Sequence, residues 1–252
     1  MWSFTPSTRA SLFTAAWLAR PVPPYLLHAQ HLRCAPVLAS GVTSWGKAAE
    51  KDGVAFVGSY ARARDMPSLR LPEVALAGRS NVGKSSALNT LSGRRKKIAV
   101  VSKTPGRTRT LNLFRVGTTC AFTDLPGYGF AKVSQDMQDA WRKQIEAYLR
   151  GRQELRLAVL FVDAQREPQT ADAQLLDFLE YEGMRTLVVA TKTDKLNKQK
   201  LSDSLARLRE SLALPPDEPL ALSSATGEGK RELWMKITEM ATDAPLRAPR
   251  ET

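Results

Sequence analysis

An apolar run, residues 73–77 (EVALA), leads straight into Gly78, Arg79, Ser80, Asn81, Val82, Gly83, Lys84 and Ser85, and then into a helix-forming stretch over residues 84–91. This fits the G-x-x-x-x-G-K-[ST] loop in the strand-then-helix setting that gives the motif its meaning. The glycines let backbone N–H groups curl around a phosphate, and the following helix adds its positive end. Lys84 is expected to bridge β- and γ-oxygens as a compact charge, and the Ser85 hydroxyl to ligate Mg²⁺.

The rest of the chain keeps the same rhythm. Residues 54–60, 98–101, 111–116, 121–124, 155–162, 186–190 and 219–222 read as strands. Residues 135–151, 170–182, 198–212 and 229–240 carry apolar side chains at helical spacing. Strands alternating with helices predict an α/β fold, a mostly parallel sheet with helices on both faces. Residues 61–71 (ARARDMPSLRL) lead into the first core strand.

Loops serving ATPases, kinases and GTPases begin alike, so discrimination comes later. Asp124 ends an apolar strand and is followed by Leu125, Pro126 and Gly127. Its carboxylate can hold a magnesium-bound water, and the Gly127 N–H can reach the γ-phosphate. Many GTPases carry a glutamine next, which orients the attacking water. Here that residue is Tyr128, and a phenol cannot replace the amide. Between the two phosphate motifs lies a polar segment, residues 102–109 (SKTPGRTR). Thr104, Thr108 and Thr110 are its candidates to complete a magnesium shell, and spacing does not choose among them. Phe130, flanked by small residues, is expected to be buried in one state or on a partner.

Thr191, Lys192, Thr193 and Asp194 follow another apolar strand. An aspartate there accepts from both N1–H and the exocyclic amine of guanine, donors that adenine lacks, while Lys192 lays its stem along the base. The usual first residue is asparagine, and Thr191 weakens that corner. Ser223, Ser224 and Ala225 follow the last strand, where backbone N–H groups can meet guanine O6.

Taken together, GRSNVGKSS, SKTPGRT, DLPGYGFA, TKTDK and the Ser-Ser pair resemble the EngB/YihA-type ribosome-biogenesis GTPases, over about residues 54–242. The resemblance implies a Ras-like P-loop GTPase fold, GTP or GDP as ligand, Mg²⁺, and a role in large ribosomal subunit maturation, linked in bacteria to cell division and septation. It selects Thr108 as the switch threonine on magnesium, beside Ser85 and Asp124, and makes Thr191 a family trait. Lys84, Thr108 and Gly127 are then the residues that act on the γ-phosphate. Gly106, Arg107, Arg109 and Thr110 join the nucleotide surround with Leu125 and Pro126. The family also favours an arginine soon after Val162 and Asp163, where this chain has Gln165. Slow intrinsic turnover is expected from Tyr128. It could be relieved by a group supplied in trans or by K⁺, for which Asn81 is the ligand type used in related GTPases. The alternative is a nucleotide-gated RNA or ribosome binding module with negligible hydrolysis. A monomer is expected.

Composition sets the remaining limits. The net charge of +12 favours an acidic partner, RNA or an anionic surface, without choosing between them; the resemblance makes ribosomal RNA or a large-subunit precursor the expected one. Residues 93–97 (GRRKK) and Lys192, Lys195, Lys198 and Lys200 are candidate phosphate contacts. The only histidines, His28 and His31, lie before the main domain, which excludes histidine catalysis within it. Cys34 and Cys120 fit no metal spacing and read as free thiols. No apolar run is long enough to span a membrane. Residues 1–49 hold no Asp or Glu but carry Arg9, Arg20, Arg33 and Lys47. That composition resembles an organelle transit peptide, with the mitochondrial matrix favoured over the plastid and a secretory signal as the rival. The expected division is an extension over 1–52, a G domain over 53–243 and a disordered tail over 244–252.

Overall fold

The computed structural model describes residues 44–93, 110–128 and 135–243. Its strands are β1 (Val54–Tyr60), β2 (Glu73–Gly78), β3 (Leu111–Val116), β4 (Cys120–Asp124), β5 (Leu155–Asp163), β6 (Thr186–Thr191) and β7 (Leu220–Leu222). Its helices are α1 (Ser44–Lys51), α2 (Lys84–Ser92), α3 (Gln135–Gly151), α4 (Thr170–Tyr181), α5 (Lys198–Ser211) and α6 (Lys230–Thr242). The strands form one sheet in the order β1-β3-β4-β2-β5-β6-β7. β1 and β3, and β3 and β4, pair antiparallel, and every other pairing is parallel. The Ras-like α/β architecture expected from the sequence is the one observed.

The central strands are apolar almost without a break because both of their faces are covered. Every residue of β2 is buried, and β5 is buried from Leu157 to Val162. One face holds Leu88, Leu91, Phe122, Trp234 and Ile237 beneath α1, α2 and α6. The other holds Leu113, Tyr148, Leu149, Leu175, Leu179 and Leu208 beneath α3, α4 and α5. Because β2, β4, β5, β6 and β7 run the same way, their carboxyl ends gather at one edge. In such sheets that is where ligands bind.

One boundary differs from the sequence expectation. Helix α1 falls inside the stretch assigned to a disordered extension. Trp45 and Ala49 sit one turn apart on its inner face and are buried in the same cluster as Trp234 and Ala241. Four residues' spacing in an eight-residue segment is too short a pattern to stand out in sequence, but it is enough to dock a helix. The folded domain therefore includes residues 44–52. Residues 61–71 are also ordered. A short 3-10 turn spans Ala63–Asp65, Met66 is buried, and Arg152 donates to the Pro67 carbonyl at 2.8 Å.

Arg152 belongs to a buried polar knot at the far end of the sheet from the phosphate loop. Glu73 accepts from Thr123 Oγ1 (2.8 Å), the Tyr148 hydroxyl (2.6 Å) and Arg152 Nε (2.9 Å). A carboxylate that is only 1% exposed is tolerable because each oxygen is bonded and one faces a cation. The knot fixes the end of α3 to β2 and β4. The extension before residue 44, the strand expected at 98–101, the cations 94–97, Phe130 and the tail from 244 lie outside the described residues. So do the switch residues Gly106, Arg107, Thr108 and Arg109.

Candidate nucleotide site

The phosphate loop occupies the turn between β2 and α2. Gly83 is the N-cap of α2 with φ 118° and no side-chain cap, so the first helical N–H groups are left for an external acceptor. Gly83 can hold that φ because it has no Cβ. Asn81 turns the loop at φ 61°, a conformation asparagine tolerates better than most residues. Lys84 Nζ donates to the Gly78 carbonyl at 3.0 Å, which folds the side chain back over the loop. Burial lowers the Lys84 pKa, and the nearby Asp124 carboxylate opposes that effect.

Asp124 arrives from the neighbouring strand. It pairs in register with Leu76, and the Leu125 N–H donates to the Leu76 carbonyl at 3.0 Å. Burial pushes the Asp124 carboxyl up to about 6, against the pull of Lys84. Its Oδ1 is buried and has no hydrogen-bond partner among the described residues. An orphaned carboxylate oxygen beside Lys84 is the acceptor that a hydrated divalent cation would satisfy, so the donor set fits Mg²⁺. Ser85, expected to supply a hydroxyl ligand, stands at the start of α2, and Thr108 lies outside the described residues.

Gly127 comes next and packs on the loop. A Cβ there would stand 2.9 Å from both Ser80 N and Ser80 Cα and 3.2 Å from Lys84 Nζ, so any side chain would push switch and loop apart. The Ser80 N–H donates to the Tyr128 carbonyl at 3.0 Å, and Arg79 and Tyr128 form a parallel bridge. Thr110 lies just before β3, with its hydroxyl 3.3 Å from Asn112 Oδ1. Nothing in the described residues brings Thr110 to the phosphate loop.

The base corner is built on the ends of β5, β6 and β7. Thr191 Oγ1 lies 2.6 Å from the Val82 carbonyl and 3.0 Å from that of Val162, so it ties the base motif to the phosphate loop and to β5. The corner is held by a hydroxyl where the sequence suggested a weak point. Lys192 stands at φ 59° with Nζ 2.7 Å from Asp163 Oδ2, which pins the stem expected to line the base. Arg166 also approaches Asp163, at 3.7 Å, one residue beyond the place where the family arginine was sought. Thr193 is buried. The Ser223 hydroxyl donates to Asp194 Oδ1 at 2.9 Å and holds that carboxyl below the usual carboxylate range, hence ionised at neutral pH. The Ser223 N–H is spent on Glu228 O, and the Ala225 N–H leans on Ser223 Oγ at 3.3 Å. Among the described residues, this leaves the Ser224 N–H as the one of the three not bonded within its loop. Of the four lysines near this corner, Lys192 and Lys195 face acids, and Lys198 and Lys200 are exposed.

Apart from Thr110, the structure thus gathers the predicted phosphate, magnesium and base residues that it describes at one edge of the sheet. Among curated proteins, the chain is 48% identical over 179 residues to the probable GTP-binding protein EngB of Pelotomaculum thermopropionicum, covering 71% of this chain and 90% of that one. It is 44% identical over 183 residues to the EngB of Bacillus subtilis, covering 72% and 93%. The chain belongs to the EngB family of GTP-binding proteins. Residues 73–192 also match the family model described as a 50S ribosome-binding GTPase. The crystal structure of a probable EngB protein superposes with a TM-score of 0.57 at 26% identity, over 68% of this chain and 99% of that one. Era in complex with MgGDPNP and 16S ribosomal RNA nucleotides gives 0.55 at 23%, over 72% and 59%, a likeness of fold. As a member of the EngB family the chain is a GTPase and guanine nucleotide is its ligand. No helix among the described residues is long and apolar enough to cross a membrane.

Three residues of the EngB site escaped sequence reasoning. Asp163 ends a strand like any turn residue, and only the fold shows that it faces Lys192. Trp141 lies at helical spacing that reads as packing, and Asp172 reads as a solvated acid in the first turn of its helix. In the structure Trp141 donates to the Pro126 carbonyl at 2.8 Å and Asp172 accepts the Tyr128 hydroxyl at 2.6 Å. Tyr128 is 5% exposed and its ring lies 5.5 Å from that of Trp141. Its polar atom is therefore committed to α4.

Proposed function

We propose that this chain is a slow GTPase that acts as a switch in the maturation of a large ribosomal subunit in an organelle, the mitochondrion favoured over the plastid. The observation that carries the slow turnover is the Tyr128 to Asp172 hydrogen bond, which commits the residue after Gly127 to a helix and leaves no amide there to orient water. The ribosomal part rests on family membership, since the matching family model is described as 50S ribosome-binding. The organellar part rests on the acid-free, arginine-bearing residues 1–49.

Within that reading, Ser85 and Asp124 hold Mg²⁺, which when bound neutralises charge on the β- and γ-phosphates. Lys84 orients the same phosphates, the Gly127 N–H meets the γ-phosphate, and Asp194 reads the guanine edge. Asn81 is exposed at the turn of the loop, and as the residue type that related GTPases use it is the candidate K⁺ ligand. Replacing Na⁺ by K⁺ should then raise turnover, and an unchanged rate removes the ion from the scheme.

The test sediments the full chain with large ribosomal subunits, in GDP or a non-hydrolysable GTP analogue, across a salt series. Binding that requires the analogue, together with subunit-stimulated hydrolysis, supports the switch. Binding that requires the analogue without stimulated hydrolysis favours a nucleotide-gated docking module, a reading that the engaged Tyr128 also suits. Equal binding in both nucleotides, lost as salt rises, reduces the association to a polyanion effect.

A further inference from the structure

The segment from Pro126 to Tyr128 is held from three directions at once. The Ser80 N–H of the phosphate loop donates to the Tyr128 carbonyl, the Trp141 indole on α3 donates to the Pro126 carbonyl, and the Tyr128 hydroxyl donates to Asp172 on α4. Asp172 is itself fixed. It is 3% exposed, and its other oxygen accepts the Gln169 N–H in a capping box at the start of α4. Burial, followed by the Asp172 charge and hydrogen bond, keeps the phenol protonated and therefore a donor.

These bonds hold Gly127 so near the Ser80 backbone that an added Cβ would stand 2.9 Å from Ser80 N and 3.2 Å from Lys84 Nζ. Lys84 and the Gly127 N–H are the two groups that must take opposite sides of a γ-phosphate. A Gly127 pressed onto Ser80 accommodates a diphosphate and crowds the third phosphoryl group. We propose that Tyr128 and Asp172 are positioning residues, a clasp that holds Gly127 down on the phosphate loop and sets the preference between GDP and GTP. GTP must open the clasp, so part of its binding energy goes into breaking the Tyr128 bond. The charge of Arg79 reaches the Tyr128 phenol, and its buried Nε has no partner among the described residues.

The inference rests on nucleotide binding at this loop and not on any ribosomal partner. Its test is an equilibrium titration of the full chain with fluorescent GDP and fluorescent GppNHp, for wild type, Tyr128→Phe and Trp141→Phe. Tyr128→Phe removes only the hydroxyl. It should leave GDP affinity within about twofold and tighten GppNHp by about tenfold, the population shift expected from losing one hydrogen bond to a carboxylate. Trp141→Phe removes a separate tether of the same segment and should move the ratio in the same direction, and it decides the matter if the tyrosine variant does not fold. Loss of general integrity would weaken both nucleotides by the same factor. That result, an unchanged ratio, or a ratio shifted towards GDP overturns the proposal.

Discussion

The Thr191 hydroxyl lies 2.6 Å from the carbonyl oxygen of Val82, joining the loop that takes the phosphates to the strand end that takes the base across 109 residues of sequence. This single contact sets how the two halves of a nucleotide can be held at once. Thr191 is only 2% exposed, so an isosteric Thr191→Val replacement removes the single hydroxyl proton that the Val82 and Val162 carbonyls share, without changing the packing. GDP and GTP affinities should both fall by about tenfold, in parallel. Nucleotide titration checks this, and the parallel loss distinguishes it from the unequal effect expected at Tyr128.

Asp194 is expected to read the guanine edge as an ionised acceptor held by Ser223. Asp194→Asn turns one acceptor oxygen into a donor and faces it towards the donors of guanine. GTP affinity should drop by at least about a hundredfold, and xanthosine triphosphate should become the better ligand. Competition binding with the two triphosphates measures the reversal.

Glu218 gives the stability of the domain a slope near neutral pH. Burial raises its carboxyl to about 7, although its Oε2 accepts the Val188 N–H at 2.8 Å. The folded chain binds this proton more tightly than the unfolded chain, whose ordinary value is 4.5. The stabilisation is therefore complete below the unfolded value and is lost as pH rises through the folded one. Glu218→Gln keeps an acceptor for Val188 and removes the titration. Between about pH 5 and about pH 7.5 the wild type should lose on the order of 2 kcal/mol relative to the variant, read from urea unfolding.

Helix α1 predicts a stability difference between two truncations. A chain starting at residue 44 keeps Trp45 and Ala49 in the cluster around Trp234, and a chain starting at residue 53 does not. Loss of a buried tryptophan costs about 3 kcal/mol or more, which for a domain of this size lowers the melting temperature by roughly 10 °C. Calorimetry on the two chains measures it.

The elements were legible because they are locally consistent. The buried runs of β2 and β5 could only be central strands, and α3 shows its helical spacing across its whole length. The phosphate and base motifs were legible because their chemistry is confined to a few consecutive residues. Contacts between distant residues were not. Asp172 lies 44 residues from Tyr128 and Asp163 lies 29 from Lys192, and neither carries a local mark that separates it from a solvated acid. Thr191 was misleading in a more instructive way. Judged by residue type it loosens the base corner, yet a short hydroxyl reaches the Val82 carbonyl because β6 ends directly behind the loop. Helix α1 was missed because two inward residues in a single short helix make no pattern against an alanine- and serine-rich background.

The docking of α1 against α6 also has a consequence for how the chain is made. The first described helix rests on the last one, with Trp45 and Trp234 in the same cluster and Lys230 3.2 Å from Glu50. During synthesis from the amino terminus, α1 emerges long before its seat exists. Until α6 is made, that side of the sheet has α2 but not the seat for α1, and Ser223, which steadies Asp194, is made only shortly before α6. A chain stopped before α6 therefore lacks the Trp234 side of this cluster, and one stopped before Ser223 also lacks the hydroxyl that steadies Asp194.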